Sequence, residues 1–475
     1  MAHRKLDIDK PPESARERKA SSAESLAFDV LSHIFLQCLP EKGFPAPSTK
    51  VAPMLLARIG SRWRAIAMST PQLWTDINLS DGGSPSHDYS KDSMAAEEWR
   101  VLAGSCLLSY RIAYTKPRYE LNAVLDAILP HHRQWKHMEC CLSFQAWSRL
   151  HSVVSRSALN LRYLEVKGDY SSSTVWKTTV MNVTNPGCPN LQSLLLADCN
   201  IPFDLIDTGA PWLRKVVLDF RRVELTMDEC CRFLHHCPNL EIFAAHCTSL
   251  EPQTTPTHGS KFIAARHLKK LCLVVELAVS WQVFDRLYAP ALDTLDLADF
   301  DYDLPGYPHL PSFFGRSGAR LTSMNLGLDM TGDEFRDSFR KLPALTSLQL
   351  HPDSTHDVLE ALIMRPMNRI LPLLECITFT SFVNSQTDLV ANIVLSRWRG
   401  SNGNGLSTNT TNEKSGNWER RLRSVRLVGR VHTSHTPCSR VLIPRIKACI
   451  EEGLEVIEDD QKDTDINPWL FAANQ

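Results

Sequence analysis

Long apolar runs are scarce in this 475-residue sequence. Leu271–Val279, among the longest, is interrupted by Glu276 and stays far short of the roughly 20 residues that span a bilayer, so neither a membrane-crossing helix nor a membrane partner is predicted. A surplus of either charge is missing too. The 52 basic and 53 acidic residues leave a net charge of -1, which gives no field to hold a polyphosphate and argues against nucleic acid as the main partner. Met1–Ala23 mixes Arg4, Arg16, Arg18 and Lys19 with Asp7, Asp9, Glu13 and Glu17 and lacks the apolar core of a secretory signal, which points to the cytoplasm, the nucleus or both.

Local catalytic motifs are missing as well. The sequence has no phosphate-cradling G-x-x-x-x-G-K-[ST], no nucleophile elbow and no H-E-x-x-H. Its 14 cysteines include no C-x-x-C pair, and disulfides are not expected. The densest ligand-like group is Cys230, Cys231, His235, His236, Cys237, His246 and Cys247; most of it falls on a predicted helix without zinc spacing. Asp299, Asp301 and Asp303 begin like a calcium loop, but Leu304 stands where the glycine is needed and Leu310 where the closing glutamate belongs. The expectation is a chain with no metal, no cofactor and no catalytic residue.

Leucine is abundant, with 61 copies, and many recur in one phrase, Leu-x-x-Leu-x-Leu, with other apolar residues substituting. Its first positions are Trp135, Leu161, Leu191, Leu213, Leu240, Leu268, Leu292, Leu321, Leu345, Leu374 and, after a longer gap, Leu422. From Trp135 to Leu374 the nine steps cover 239 residues, an average close to 27, within the range of leucine-rich repeats, about 20–29. Six copies carry a proline two residues ahead (Pro189, Pro211, Pro238, Pro290, Pro343, Pro372), which stops the preceding segment and launches an extended one. Between phrases the apolar period lengthens to that of a helix, and Thr226–Glu229 and Thr331–Glu334 spell capping boxes. Strand-helix units in series predict parallel strands stacked as a solenoid, strands on its concave side and helices on its convex side. A parallel α/β sheet without true repeats is the competing interpretation.

Residues 24–79 differ in kind. Leu26, Val30, Leu31, Ile34, Phe35 and Cys38 share one helical face; a Pro- and Gly-rich loop follows; Leu55, Leu56, Ile59, Trp63 and Ile66 form a second helical stripe; Leu73, Trp74, Ile77 and Leu79 read as a strand that begins the sheet. So small a helical unit buries little surface alone, which predicts a partner. The stretches Leu26–Phe35, Cys38–Pro40, Met54–Ile59, Arg62–Ala67 and Ser69–Trp74 resemble the F-box, in the form found in fungal proteins with divergent leucine-rich repeats; Ala27 stands where that family has proline. The resemblance covers about 50 residues and implies docking on a Skp-family adaptor, and through it a cullin, as the substrate-recognition subunit of a ubiquitin ligase. By position it assigns Leu26, Leu31, Ile34, Phe35, Leu56 and Trp63 to the adaptor interface or its support. A repeat scaffold unconnected with ubiquitylation is the alternative.

The remaining organisation is a disordered tail at 1–23, a connecting helical segment at 80–130, the repeat domain at 131–458 with a disordered insert at 400–417, and an acidic tail at 459–475. If the leucines face the core, the x residues form the recognition surface for a protein substrate. Charge is banded there: Arg214, Lys215, Lys269 and Lys270 form a basic stretch, and Asp293 with Asp296 an acidic one.

Overall fold

The computed structural model describes residues 26–81, 87–114, 121–142, 144–168, 181–182, 188–197, 203–204, 209–219, 227–247, 262–275, 283–299, 309–328, 330–350, 356–365, 369–380, 386–398, 422–430 and 438–461. The predicted tail at 1–23, the insert at 400–417 and Thr226 of one capping box lie outside them.

At the front stand α1 (Phe28–Gln37), α2 (Leu56–Ile59) and α3 (Ser61–Met68), followed by β1 (Asp76–Ser80), α4 (Tyr89–Ala103), β2 (Leu108–Ala113) and α5 (Leu121–Ile128). Next come β3 (Trp135–Leu142), α6 (Phe144–Ser157), β4 (Tyr163–Gly168), β5 (Met181–Asn182), β6 (Ser193–Ala197), β7 (Phe203–Asp204), β8 (Lys215–Asp219) and α7 (Met227–His236). The middle holds β9 (Ile242–Cys247), β10 (Ile263–Ala264), β11 (Lys270–Val275), α8 (Val283–Arg286), β12 (Leu287–Tyr288), β13 (Thr294–Asp299) and α9 (His309–Ser317). Then follow β14 (Ser323–Gly327), α10 (Gly332–Phe339), β15 (Ser347–Leu350), α11 (His356–Leu362) and β16 (Cys376–Thr380). The last elements are α12 (Thr387–Trp398), β17 (Ser424–Arg430), α13 (Cys438–Glu451) and β18 (Glu455–Gln461).

Fourteen of the strands form one parallel sheet in the order β1-β2-β3-β4-β6-β8-β9-β11-β13-β14-β15-β16-β17-β18; β5-β7 and β10-β12 are two-stranded side sheets. Neighbours in the large sheet follow chain order, and β1 and β18 are its two edges, the arrangement of a solenoid-like α/β fold. The stretch expected to be a connecting helical segment does hold α4 and α5, but β2 lies between them. The acidic terminal stretch, expected as a tail from 459, is strand as far as Gln461.

Register explains the phrase. Its second positions align across the sheet, as in Leu194↔Val216, Phe243↔Leu271 and Leu295↔Met324, and its third positions align as in Leu196↔Leu218 and Leu297↔Leu326. All of these are buried, together with the helix residues Trp147, Phe233, Phe313, Phe335 and Ile393, in one continuous core. The prolines sit inside a recurring turn in which the first leucine donates to the carbonyl three residues back, as Leu191 to Cys188 at 3.2 Å and Leu240 to Cys237 at 3.1 Å. Where asparagine precedes that leucine, its side chain ties the turn to the unit before: Asn190 Nδ2 donates to Leu159 O at 2.8 Å and Asn239 Nδ2 to Pro211 O at 2.7 Å. Gly209, at φ 68°, serves one such junction, because a Cβ there would meet His236 O at 2.7 Å. The capping box at Thr331 and Glu334 opens α10.

Both edges are closed to further stacking. At β1, Asn78 N donates outward to Pro45 O at 2.9 Å, so the loop between α1 and α2 covers the edge. At β18, Glu458 pairs with Leu427 and thus puts an exposed carboxylate into the row that is apolar in every neighbouring strand of the middle.

Leu295 lies at the centre of this core with no exposed surface. Leu295→Ala is expected to cost about 2–5 kcal/mol in urea unfolding. Ser323→Ala, on the other face of the adjoining strand, should stay within about 0.5 kcal/mol.

Candidate binding surfaces

The front helices divide their apolar residues between two faces. Leu31 and Phe35 of α1, Leu56 of α2 and Ile66 of α3 are buried in the same core as the sheet. Trp63 is half-buried with its ring centroid 4.8 Å from Phe35, and Leu26 is partly buried with its carbonyl accepting from Arg62 at 2.5 Å. Thr70 Oγ1 lies 3.1 Å from Ser32 Oγ and donates to Ile66 O at 2.7 Å, and Trp74 Nε1 donates to Ala67 O at 2.8 Å, which ties α1 and α3 to the segment just ahead of the first strand. Of the residues assigned to adaptor docking, Ile34 alone is exposed, at 39%. Leu31, Phe35 and Leu56 therefore support the surface from beneath.

Apart from Ile34, the exposed apolar residues of this stretch are not among those the resemblance assigns to docking. Thirteen large hydrophobics are exposed among the described residues, and seven of them fall within 28–68: Phe28, Val30, Ile34, Val51, Leu55, Ile59 and Met68. Such concentration in one short stretch departs from the scattered single apolar residues of an ordinary surface. Val30 and Ile34 on α1, and Leu55 and Ile59 at α2, are spaced by four, so each pair lines one side of a helix as a ridge, and Val51 is exposed in the turn ahead of α2. Leu55 N donates to Val51 O at 2.9 Å, which closes the turn just ahead of α2. Lys50, Arg58, Arg62 and Arg64 are exposed beside these ridges.

The sheet face turned away from the helices departs from the expected polar surface. In register, one row runs Glu139, Glu165, Leu195, Val217, Ala244, Cys272, Asp296, Asn325, Gln349 and Thr378. Its central members Leu195, Val217, Ala244 and Cys272 join Val274 and Ala298 in a second buried apolar cluster. Central strands of a parallel sheet are apolar on both sides when both are covered, so alternation alone does not make one face polar.

The basic stretch is likewise not a free patch. Arg214 Nη1 donates to Glu241 Oε1 at 2.6 Å and Lys269 Nζ to Glu241 Oε2 at 2.7 Å, a ladder of alternating charge along adjacent strand entries. These two donors hold the Glu241 carboxyl below its ordinary range. Lys215 and Lys270 stand one position on, both half-buried; burial, with Lys270 beside it, lowers the Lys215 ammonium. Asp293 is exposed and accepts from Thr322 Oγ1 at 2.7 Å.

Asp296 is buried, 6% exposed, and burial raises its carboxyl to about 6, with Lys270 offsetting part of the rise. Further along the face, Glu139 is held low by its hydrogen bond with His137 at 2.9 Å, whose ring stacks at 4.0 Å on Tyr163. Phe44, from the loop that covers β1, meets the His137 ring at 5.1 Å.

Of the cysteine-histidine group, Cys230, Cys231 and Cys237 are buried thiols on or next to α7. Among the described residues, no helix is long and apolar enough to cross a membrane. No protein-family model matches the chain, and no curated protein matches it.

Two outcomes follow from this geometry. A carboxyl that binds its proton more tightly folded than unfolded destabilises the fold as pH rises from the ordinary value of 3.8 towards about 6. Asp296→Asn should therefore unfold at higher urea than the parent at neutral pH, by up to about 3 kcal/mol, and match it below about pH 4. Glu241→Gln, in contrast, loosens an exposed ion pair and should cost under about 1 kcal/mol, less still in high salt.

Proposed function

We propose that the protein is a non-catalytic substrate receptor of a Skp-cullin-F-box-type ubiquitin ligase. In this interpretation the helices at 28–68 dock a Skp-family adaptor, and the strand-helix units are leucine-rich repeats whose far sheet face holds a protein substrate. The observation that supports it is the clustering of exposed apolar side chains on those helices, on the stretch that resembles an F-box. Catalysis then consists of positioning, a bound substrate lysine being held near ubiquitin carried elsewhere in the complex.

A second interpretation, a repeat scaffold that never meets a ligase, draws on the inner faces of the same helices. Leu31, Phe35 and Leu56 belong to the core of the sheet, and a terminal cap of a solenoid is built in that way. The two differ in what the outer ridges are for.

Ile34→Glu with Ile59→Glu places charge on both ridges without touching the core. On the receptor interpretation this variant fails to co-purify a Skp-family adaptor while its melting temperature stays within a few degrees of the parent. Undiminished capture by the variant removes the ridges as the docking surface, and no capture by the parent favours the scaffold. Phe35→Ala is the poorer probe, because losing a fully buried ring costs about 3–5 kcal/mol and confounds docking with unfolding.

A further inference from the structure

Two hydrogen-bond acceptors lie side by side on the far face of the sheet with no hydrogen-bond donor among the described residues. Asp296 on β13 and Asn325 on β14 are direct partners in the parallel register, their side chains on the same face. Asp296 is in the floor of that face, 6% exposed, and no described residue hydrogen-bonds or ion-pairs with it. Asn325 Oδ1 is buried and also lacks a donor. Buried acceptors in native proteins are satisfied in nearly every case, and a buried carboxylate is satisfied by a cation or by several N–H groups. Among the described residues Lys270, in the row above with Thr294 and Ser323, acts on Asp296 through charge alone and donates no hydrogen bond to it.

We propose that Asp296 and Asn325 together receive an arginine side chain of the protein held on this face; the inference rests on the receptor interpretation of that surface. Three features select arginine. Asp296 is recessed beside the buried Cys272 and Ala298 and the half-exposed Lys270, Thr294 and Ser323, so a long side chain is needed to reach it. One acceptor is anionic and the other a neutral carbonyl, and a planar guanidinium offers five donors, enough to serve both at once. A guanidinium also leaves water more readily than an ammonium, as a site with an apolar surround of Cys272 and Ala298 demands. Asp296 is thus a specificity-determining residue, while Glu241, already saturated by Arg214 and Lys269, is not.

The test uses the full chain and a display library of short linear peptides, selected on the parent protein and on Ile34→Glu, whose front surface is disabled. Peptides recovered from both should share an arginine, and replacing that arginine by its uncharged isostere citrulline should weaken binding about tenfold or more. With Asp296→Asn the citrulline penalty should shrink to less than about twofold, and Asn325→Leu should reduce it independently. Peptides that bind this face with no basic residue in common overturn the inference but leave the face a binding surface. A citrulline penalty unchanged in Asp296→Asn overturns it equally. If neither protein selects any peptide on this face, the inference and the substrate-face interpretation fall together.

Discussion

Fourteen parallel strands share one core only while every strand turns the same two positions towards the helices. The side-chain period of a strand is two, so a slip of one residue in any unit would exchange its core residues for its far-face residues. The turn that recurs ahead of the strands, at Leu161, Leu191, Leu213, Leu240, Leu268, Leu292, Leu345 and Leu374, prevents that slip. Its hydrogen bond fixes where the first leucine enters, and the asparagine side chains at Asn190 and Asn239 bind that entry to the neighbouring unit. Everything else on the sheet, including which residues meet across the far face, follows from that alignment.

Much of this was legible in the leucine phrase. Every first position from Trp135 to Leu422 is buried, and each phrase of that series lies on a strand of the large sheet. The unit at β2 escaped because the register shifts between Leu108 and Ser109, which displaces its leucine from the expected spacing. Of the strand expected from Leu73 to Leu79, Ile77 and Leu79 lie on β1 and begin the sheet, whereas Leu73 and Trp74 fall in a 3-10 turn at Pro71–Trp74. Pro71 at the first position of that turn favours helical over extended backbone. The two-residue strands β5, β7, β10 and β12 carry too few residues for any periodicity to register.

Sites were harder to read than fold, for two physical reasons. On α1 both the buried pair Leu31 and Phe35 and the exposed pair Val30 and Ile34 are apolar, so hydrophobicity could not say which side faced outward. Glu241 was visible among the x residues, but its partners Arg214 and Lys269 are 27 and 28 residues away, and nothing in a linear string pairs them until the units are laid in register. Asp296 illustrates the same limit from the other direction, since a charged residue next in register to Cys272 and near Ala298 reads as surface until its surroundings are known. Its stability cost originates in the burial of that charge.

The closed ends also constrain how such a protein can change length. A unit appended beyond β18 would have to stack on Glu458, and one added before β1 would have to displace the loop at Pro45 together with the helices it joins. Duplications inside the series meet neither obstacle, because every interior neighbour offers the same two apolar rows. Growth by internal copying would lengthen the far face and move its terminal features apart, while the front helices kept their place against the first strand.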